Sequence, residues 1–176
     1  MSAILILGID PGLNRCGWGI VLSEGSRLTH IAHGVIKPNA QQQLASRLHD
    51  VFEGLNAVIE QHQPHEAAVE ETFVNSNARA ALALGQARGV ALAAAARRGV
   101  EVAEYAPTTI KKAVVGAGNA DKTQIAFMVR RLLPTAGDVT ADAADALGVA
   151  LCHAAHGGFR RRAGAEALKS QVETLA

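Results

Sequence analysis

Four carboxylates in this chain of 176 residues stand among side chains that give a negative charge no support. Asp10 closes the apolar run Ile4-Leu5-Ile6-Leu7-Gly8-Ile9, Glu70 and Glu71 follow Ala67-Ala68-Val69, and Asp142 and Asp145 lie within Ala141-Asp142-Ala143-Ala144-Asp145-Ala146-Leu147. Acids three apart share a helix face and repel by roughly a few tenths of a kcal/mol even when exposed. No Lys or Arg lies within a turn of Asp142 and Asp145, and desolvated carboxylates without partners take up protons. A divalent cation resolves that conflict, because Mg²⁺ selects hard oxygen ligands and keeps waters that can react. Simpler roles compete: Asp10 can open an Asp-Pro-Gly turn, and a first-turn acid can serve the helix dipole. The second accounts for one of the two helix acids better than for both. Strand alternation puts Glu70 with Ala68 on one face and Glu71 with Val69 on the other, a choice the sequence leaves open. A cluster of this kind resembles two-metal phosphoryl-transfer sites.

Positioning these acids requires strands that end where they lie. The unbroken apolar run before Asp10 reads as a central strand buried on both faces, stopped by Pro11-Gly12. Gly17 to Ser23 and Leu28 to Ile36 read as further strands joined by short turns, an antiparallel meander. From Gln41 to His62 apolar residues recur at helical spacing, and Pro64 ends that amphipathic helix. The strand Ala67 to Glu71 then runs parallel to the first. An Ala-rich helix over 78–96 is apolar nearly all round and calls for cover on more than one side, as a second subunit would give. Val100 to Tyr105 is the last strand. Short helices follow from Pro107 and over 122–133, and a final helix over 141–155, capped by Asp138 or Thr140, stops at Gly157-Gly158. Residues 1–158 form one domain on this reading, and 159–176 a basic, partly disordered tail.

Composition narrows the class. The hydrophobic fraction of 49% supports a packed core, and the aromatic fraction of 3% leaves it to small aliphatic side chains. No apolar run reaches membrane-spanning length and the N-terminus lacks signal-peptide order, so a cytoplasmic protein with no membrane contact is expected. Cys16 and Cys152 match no zinc or redox spacing and read as buried thiols, and the doublets His30/His33 and His153/His156 lack a metal-site pattern. A net charge of +1 is low for a nucleic-acid binder. Two divalent ions in the acid cluster would raise it to about +5.

The motifs Gly8-Ile9-Asp10-Pro11-Gly12, Val69-Glu70 with Phe73 after it, Leu84-Gly85-Gln86-Ala87-Arg88-Gly89, Val114-Val115-Gly116 followed by Lys122, and the segment from Ala141 to Ala146 occur in one order at characteristic spacings. In these the chain resembles the RuvC-type Holliday junction resolvases. The resemblance implies the ribonuclease-H-like α/β fold, a five-stranded mixed sheet flanked by helices on both faces. It also implies a homodimer, paired through the Ala-rich helix, that cuts a four-way DNA junction symmetrically and leaves 5′-phosphates. Asp10, Glu70, Asp142 and Asp145 match the family's catalytic carboxylates, which bind two Mg²⁺ or Mn²⁺ ions; Glu70 is thereby favoured over Glu71. Lys111 and Lys122 match lysines placed near the scissile phosphate, Phe73 an aromatic that stacks on bases, and Arg79 and Arg88 complete the expected DNA-contacting set. RuvA and RuvB are the partners implied.

Other classes of protein share some of these features. Actin-like ATPases and sugar kinases share a strand ending in Asp-x-Gly but need a second lobe, for which 176 residues leave no room. A nuclease for RNA/DNA hybrids would share the fold, and a non-catalytic junction-binding module would have no use for four acids.

Overall fold

A computed structural model describes residues 3–71 and 77–174, with side chains through position 157. Its elements are β1 (Ile4–Asp10), β2 (Cys16–Glu24), β3 (Arg27–Ile36), α1 (Leu44–His62), β4 (Glu66–Glu70), α2 (Ala78–Arg97), β5 (Glu101–Tyr105), α3 (Pro107–Val115), α4 (Lys122–Leu132), a 3₁₀ turn (Pro134–Ala136) and α5 (Ala141–Thr174). The five strands form one mixed sheet in the order β3-β2-β1-β4-β5. The β1–β2 and β2–β3 pairs are antiparallel, as short turns require, and β1–β4 and β4–β5 are parallel, with α1 and α2 as the crossovers.

The sheet has a separate core on each face. Ile6, Val21 and Ala68 pack with Leu147, Ala150, Ile110 and Val129 of α5, α3 and α4. Leu7, Ile9, Ile20 and Val69 face the other way, against Val51, Leu55, Ala91 and Ala95 of α1 and α2. Alternation therefore carries Asp10, two residues beyond Gly8 and four beyond Ile6, onto the α5 face. The same period puts Glu70 with Ala68 on that face, and pairing of Ile9 with Val69 leaves both acids at the same sheet edge.

What lets α5 lie close to these acids is the absence of side chains beneath it. A Cβ on Gly8 would stand 2.1 Å from the Ala146 carbonyl oxygen, and one on Gly17 would stand 2.1 Å from that of Asp142. Gly17 pairs with Asp10 across β1 and β2, so both glycines seat the first turns of α5 beside the carboxylate. Further along, His153 is buried and its Nε2 lies 2.7 Å from Glu66 Oε2, while its Nδ1 lies 2.9 Å from the Tyr105 hydroxyl. These contacts tie α5 to β4 and β5.

Two expectations change. Helix α1 starts at Leu44, later than the apolar spacing predicts, because the Gln42 N–H donates to the Asn39 carbonyl and closes a turn first. Helix α5 does not stop at Gly157-Gly158 but runs to Thr174. A glycine costs a helix only about 1 kcal/mol relative to alanine, and the Arg, Ala, Glu, Leu and Lys residues that follow are good helix formers. Thr140 takes the cap position, its carbonyl accepting from the Ala144 N–H at 2.9 Å. Cys16 and Cys152 are free and buried.

The close seat predicts that Gly8→Ala destabilises the protein by about 3 kcal/mol or more, since the clash is with backbone and not with a movable side chain. Thermal denaturation checks this; a melting temperature unchanged within error would show that α5 is not held against β1 as described.

Candidate active site

A cavity of about 410 Å³ opens at the edge where β1 and β4 end, lined among others by Asp10, Glu70, Glu71, Asp145, Lys111 and Lys122. Asp10 comes from the last residue of β1, Glu70 from that of β4, and Asp145 from the second turn of α5. Lys111 is carried by α3, whose first turn has Pro107 in place, and Lys122 opens α4 behind an Asp121 capping box. Asp142 lines an adjoining cavity of about 490 Å³, where its Oδ2 accepts from Arg15 Nη1 at 3.3 Å. Lys122 Nζ lies 3.2 Å from Asp145 Oδ2.

Burial and crowding set the electrostatics. Asp10 is pushed up to about 8, chiefly by desolvation and then by the charges of Glu70 and Asp145, with Lys122 pulling back and Asp142 adding slightly. Glu70 rises to about 7 from desolvation and the charge of Asp145, opposed by Lys122, Lys111 and hydrogen bonding to Asp10. Asp145 is also raised: desolvation outweighs its ion pair with Lys122, whose side chain is 80% exposed, so that the pair is partly screened by water. Lys122 is raised in turn by the Asp145 charge. Coulombic repulsion thus links all four acids, including Asp142 from the adjoining cavity.

The donor set fits a hard divalent cation: crowded carboxylate oxygens on three separate elements, with Asp10, Glu70 and Asp145 desolvated. Among the described residues no three His, Cys, Asp or Glu side chains close into a finished cage. Arg15 and Lys122 hold Asp142 and Asp145 in ion pairs.

Of the other residues singled out by sequence, Arg79 is exposed in the first turn of α2, and its backbone N–H donates to Asn77 Oδ1. Arg88 donates through Nε to Glu104 Oε2 at 2.7 Å, with Nη2 on the same oxygen, and lines neither cavity. Phe73 lies outside the described residues. Sequence reasoning passed over Arg15 and Arg47, although Arg15 is the single cation in the turn after Asp10 and so had a positional signal. Arg47, on α1, had none.

Strand order, mixed pairing and acids at the ends of β1 and β4 define an α/β protein of the ribonuclease-H-like class. The model of the RuvC crossover junction endodeoxyribonucleases matches residues 6–153. The crossover junction endodeoxyribonuclease RuvC of Caulobacter vibrioides is 63% identical over 149 residues, covering 85% of this chain and 88% of that protein. Among solved structures, T. thermophilus RuvC in complex with Holliday junction substrate aligns with a TM-score of 0.82 at 32% identity, covering 89% of this chain and 96% of that one. The yeast mitochondrial Holliday junction resolvase, 13% identical with a TM-score of 0.61 over 85% of this chain and 78% of that one, shares the fold. This chain belongs to the RuvC family.

Because Asp10 holds its proton up to about pH 8 in the folded protein, against about 3.9 in an unfolded chain, the native state binds more protons between those values. Stability of the protein in EDTA therefore falls as pH rises from about 4 to about 8. Asp10→Asn removes this charge and should raise the melting temperature at pH 8 by a few degrees, about 1–3 kcal/mol. A lower melting temperature for the variant at pH 8 would contradict the crowding described.

Proposed function

We propose that this chain is a divalent-metal-dependent endonuclease that resolves four-way DNA junctions by paired symmetric nicks, leaving 5′-phosphates, and that it acts as a homodimer in recombination and repair. The observation that carries the reading is the convergence of Asp10, Glu70 and Asp145 from three elements on one cavity that also receives two lysines. Membership of the RuvC family supplies the substrate class.

Asp10, Glu70, Asp142 and Asp145 would hold the metal, with Asp10, central among the four, the best candidate to serve both ions of a pair. Mg²⁺ or Mn²⁺ bound there supplies Lewis-acid activation of water and neutralises the 3′-oxygen that leaves in an in-line displacement. The chain's own groups do the positioning. Lys122 orients Asp145 through the 3.2 Å contact, and Lys111 and Lys122 put positive charge where a scissile phosphate would enter. Glu71 also lines the cavity but sits on the opposite side of the strand alternation from Glu70. Arg79 would meet backbone phosphate and Phe73 would stack on bases near the junction centre, whereas Arg88, paired with Glu104, would hold α2 to β5.

The outward face of α2 supports the dimer. The helix buries Ala87, Ala91, Ala94 and Ala95, whereas outside Leu82 is 64% exposed, and a Cβ on Gly85 or Gly89 would meet nothing within 4 Å among the described residues. Association through this small-residue face would carry one active site per subunit to each of two strands. Among the described residues no helix is long and apolar enough to cross a membrane. Action in the cytoplasm with RuvA and RuvB follows from the family reading.

The test is cleavage of a mobile synthetic four-way junction beside a linear duplex and an RNA/DNA hybrid of the same sequence, in Mg²⁺ and in EDTA. Paired metal-dependent nicks on the junction alone are expected; preferential cutting of the hybrid would instead assign a hybrid nuclease. Asp145→Asn should lower junction cleavage about 100-fold or more while junction binding stays within about threefold, because it removes a metal ligand and not a phosphate contact. Lost binding with retained cleavage would overturn that role.

A further inference from the structure

The cavity beside the catalytic one has the opposite electrostatic character. Its walls carry Arg15 and Arg47 with Asn14, and the one carboxylate there is Asp142. Gly12 in its lining follows Pro11 in the lining of the catalytic cavity, and Leu84 belongs to both. The two spaces are thus neighbours along a path that a single polymer strand could follow.

The two arginines are held differently. Arg47 donates through Nη2 to the Leu13 carbonyl at 3.1 Å and to Asn14 Oδ1, which fixes the turn after Asp10 against the first turn of α1. Its Nε is sealed from solvent and has no acceptor among the described residues, so this guanidinium has donor capacity that the chain does not discharge. Arg15 reaches in from the lip with a side chain 57% exposed, held among the described residues by one 3.3 Å contact to Asp142. A planar fork with one weak partner is suited to an incoming oxyanion. The first turns of α1 and α2 supply Arg47 and Ala80 to the same space, and helix N-termini favour negative charge. The remaining wall, Leu13, Ala83 and Leu84, is apolar and would accept a sugar.

We propose that this second cavity is a subsite for a non-scissile backbone phosphate of the DNA strand, gripped by Arg15 over a turn that Arg47 braces. The inference rests on the nuclease reading above and extends it to a contact that fixes where along the strand the scissile phosphate lies. It has a consequence for the acids as well. Arg15 that turns to phosphate gives up Asp142, whose oxygens are then available to the metal, so DNA occupancy and completion of the ligand set are coupled through one side chain.

Binding of a fluorescent four-way junction in EDTA, with each phosphate flanking the scissile one replaced singly by a neutral methylphosphonate, tests this. In the wild-type protein one flanking replacement should weaken binding about fivefold, and Arg15→Gln should weaken binding of the unmodified junction similarly and lower the salt slope by about 1. That same replacement should then cost Arg15→Gln nothing further. Arg47→Lys, which keeps the charge but not the fork, should show an intermediate loss, with melting temperatures confirming that both variants fold. Separately, Mn²⁺ should bind Arg15→Gln more tightly than the wild type when DNA is absent. Equal methylphosphonate penalties in wild type and Arg15→Gln at every position would overturn the subsite while leaving the nuclease reading intact. A wild-type protein that binds junction no better than duplex would instead sink that reading and the subsite with it.

Discussion

Like charges brought together where water is scarce dominate the architecture of this protein. Burial is the largest push toward the acid form, and neighbouring carboxylates add to it, which lifts Asp10 to about 8 and Glu70 to about 7. Such an arrangement works against folding stability and persists only if the surrounding structure leaves the acids no freedom to separate. The constraint is supplied by a helix laid almost directly on backbone. Gly8 and Gly17 leave no room for a side chain between β1, β2 and the first turns of α5, and His153 ties the same helix to Glu66 and Tyr105 farther along.

From that seat the rest of the site follows. A parallel β1–β4 pair sets two acids side by side at one edge, α5 brings two more over them, and α3 and α4 close the cavity with Lys111 and Lys122. The lysines temper the repulsion without cancelling it, as the raised Asp145 demonstrates. Negative charge is concentrated in one cavity, and positive charge is gathered in the next one, around Arg15 and Arg47. A net charge of +1 for the chain conceals this division. Total charge alone does not reveal that separation.

Much of this was legible because the signals were strong and local. An apolar run that stops on an acid marks both a central strand and its edge, so β1 and Asp10 could be read together, and the Pro and Gly stops placed α1 and β4 within a few residues. The pair Asp142 and Asp145 stood out because the Ala neighbours offered no compensating charge. What stayed hidden depends on contacts between segments remote in sequence. Strand alternation left Glu70 and Glu71 open and only the motif match favoured Glu70; both line the cavity. Arg47 became relevant only once α1 delivered it to the turn after Asp10, and Arg88 lost its apparent freedom once β5 brought Glu104 beside it. The end of α5 was misread for another reason: two glycines weaken a helix without obliging it to stop, and the sequence after them is itself helix-forming.

On the function proposed above, the four acids form one electrostatic unit that a divalent cation would complete. The most direct test is calorimetric titration of the DNA-free protein with Mg²⁺ at pH 7.5 in two buffers of different ionisation enthalpy, which counts the protons released on binding. With Asp10 titrating near 8, binding must displace a proton from much of the population, so a release of roughly half a proton or more per site is predicted. That release should vanish at pH 9.5 and shrink, in Asp10→Asn, to the part that Glu70 and Asp145 still hold. Binding with no proton release at pH 7.5, or no detectable binding, would contradict the account.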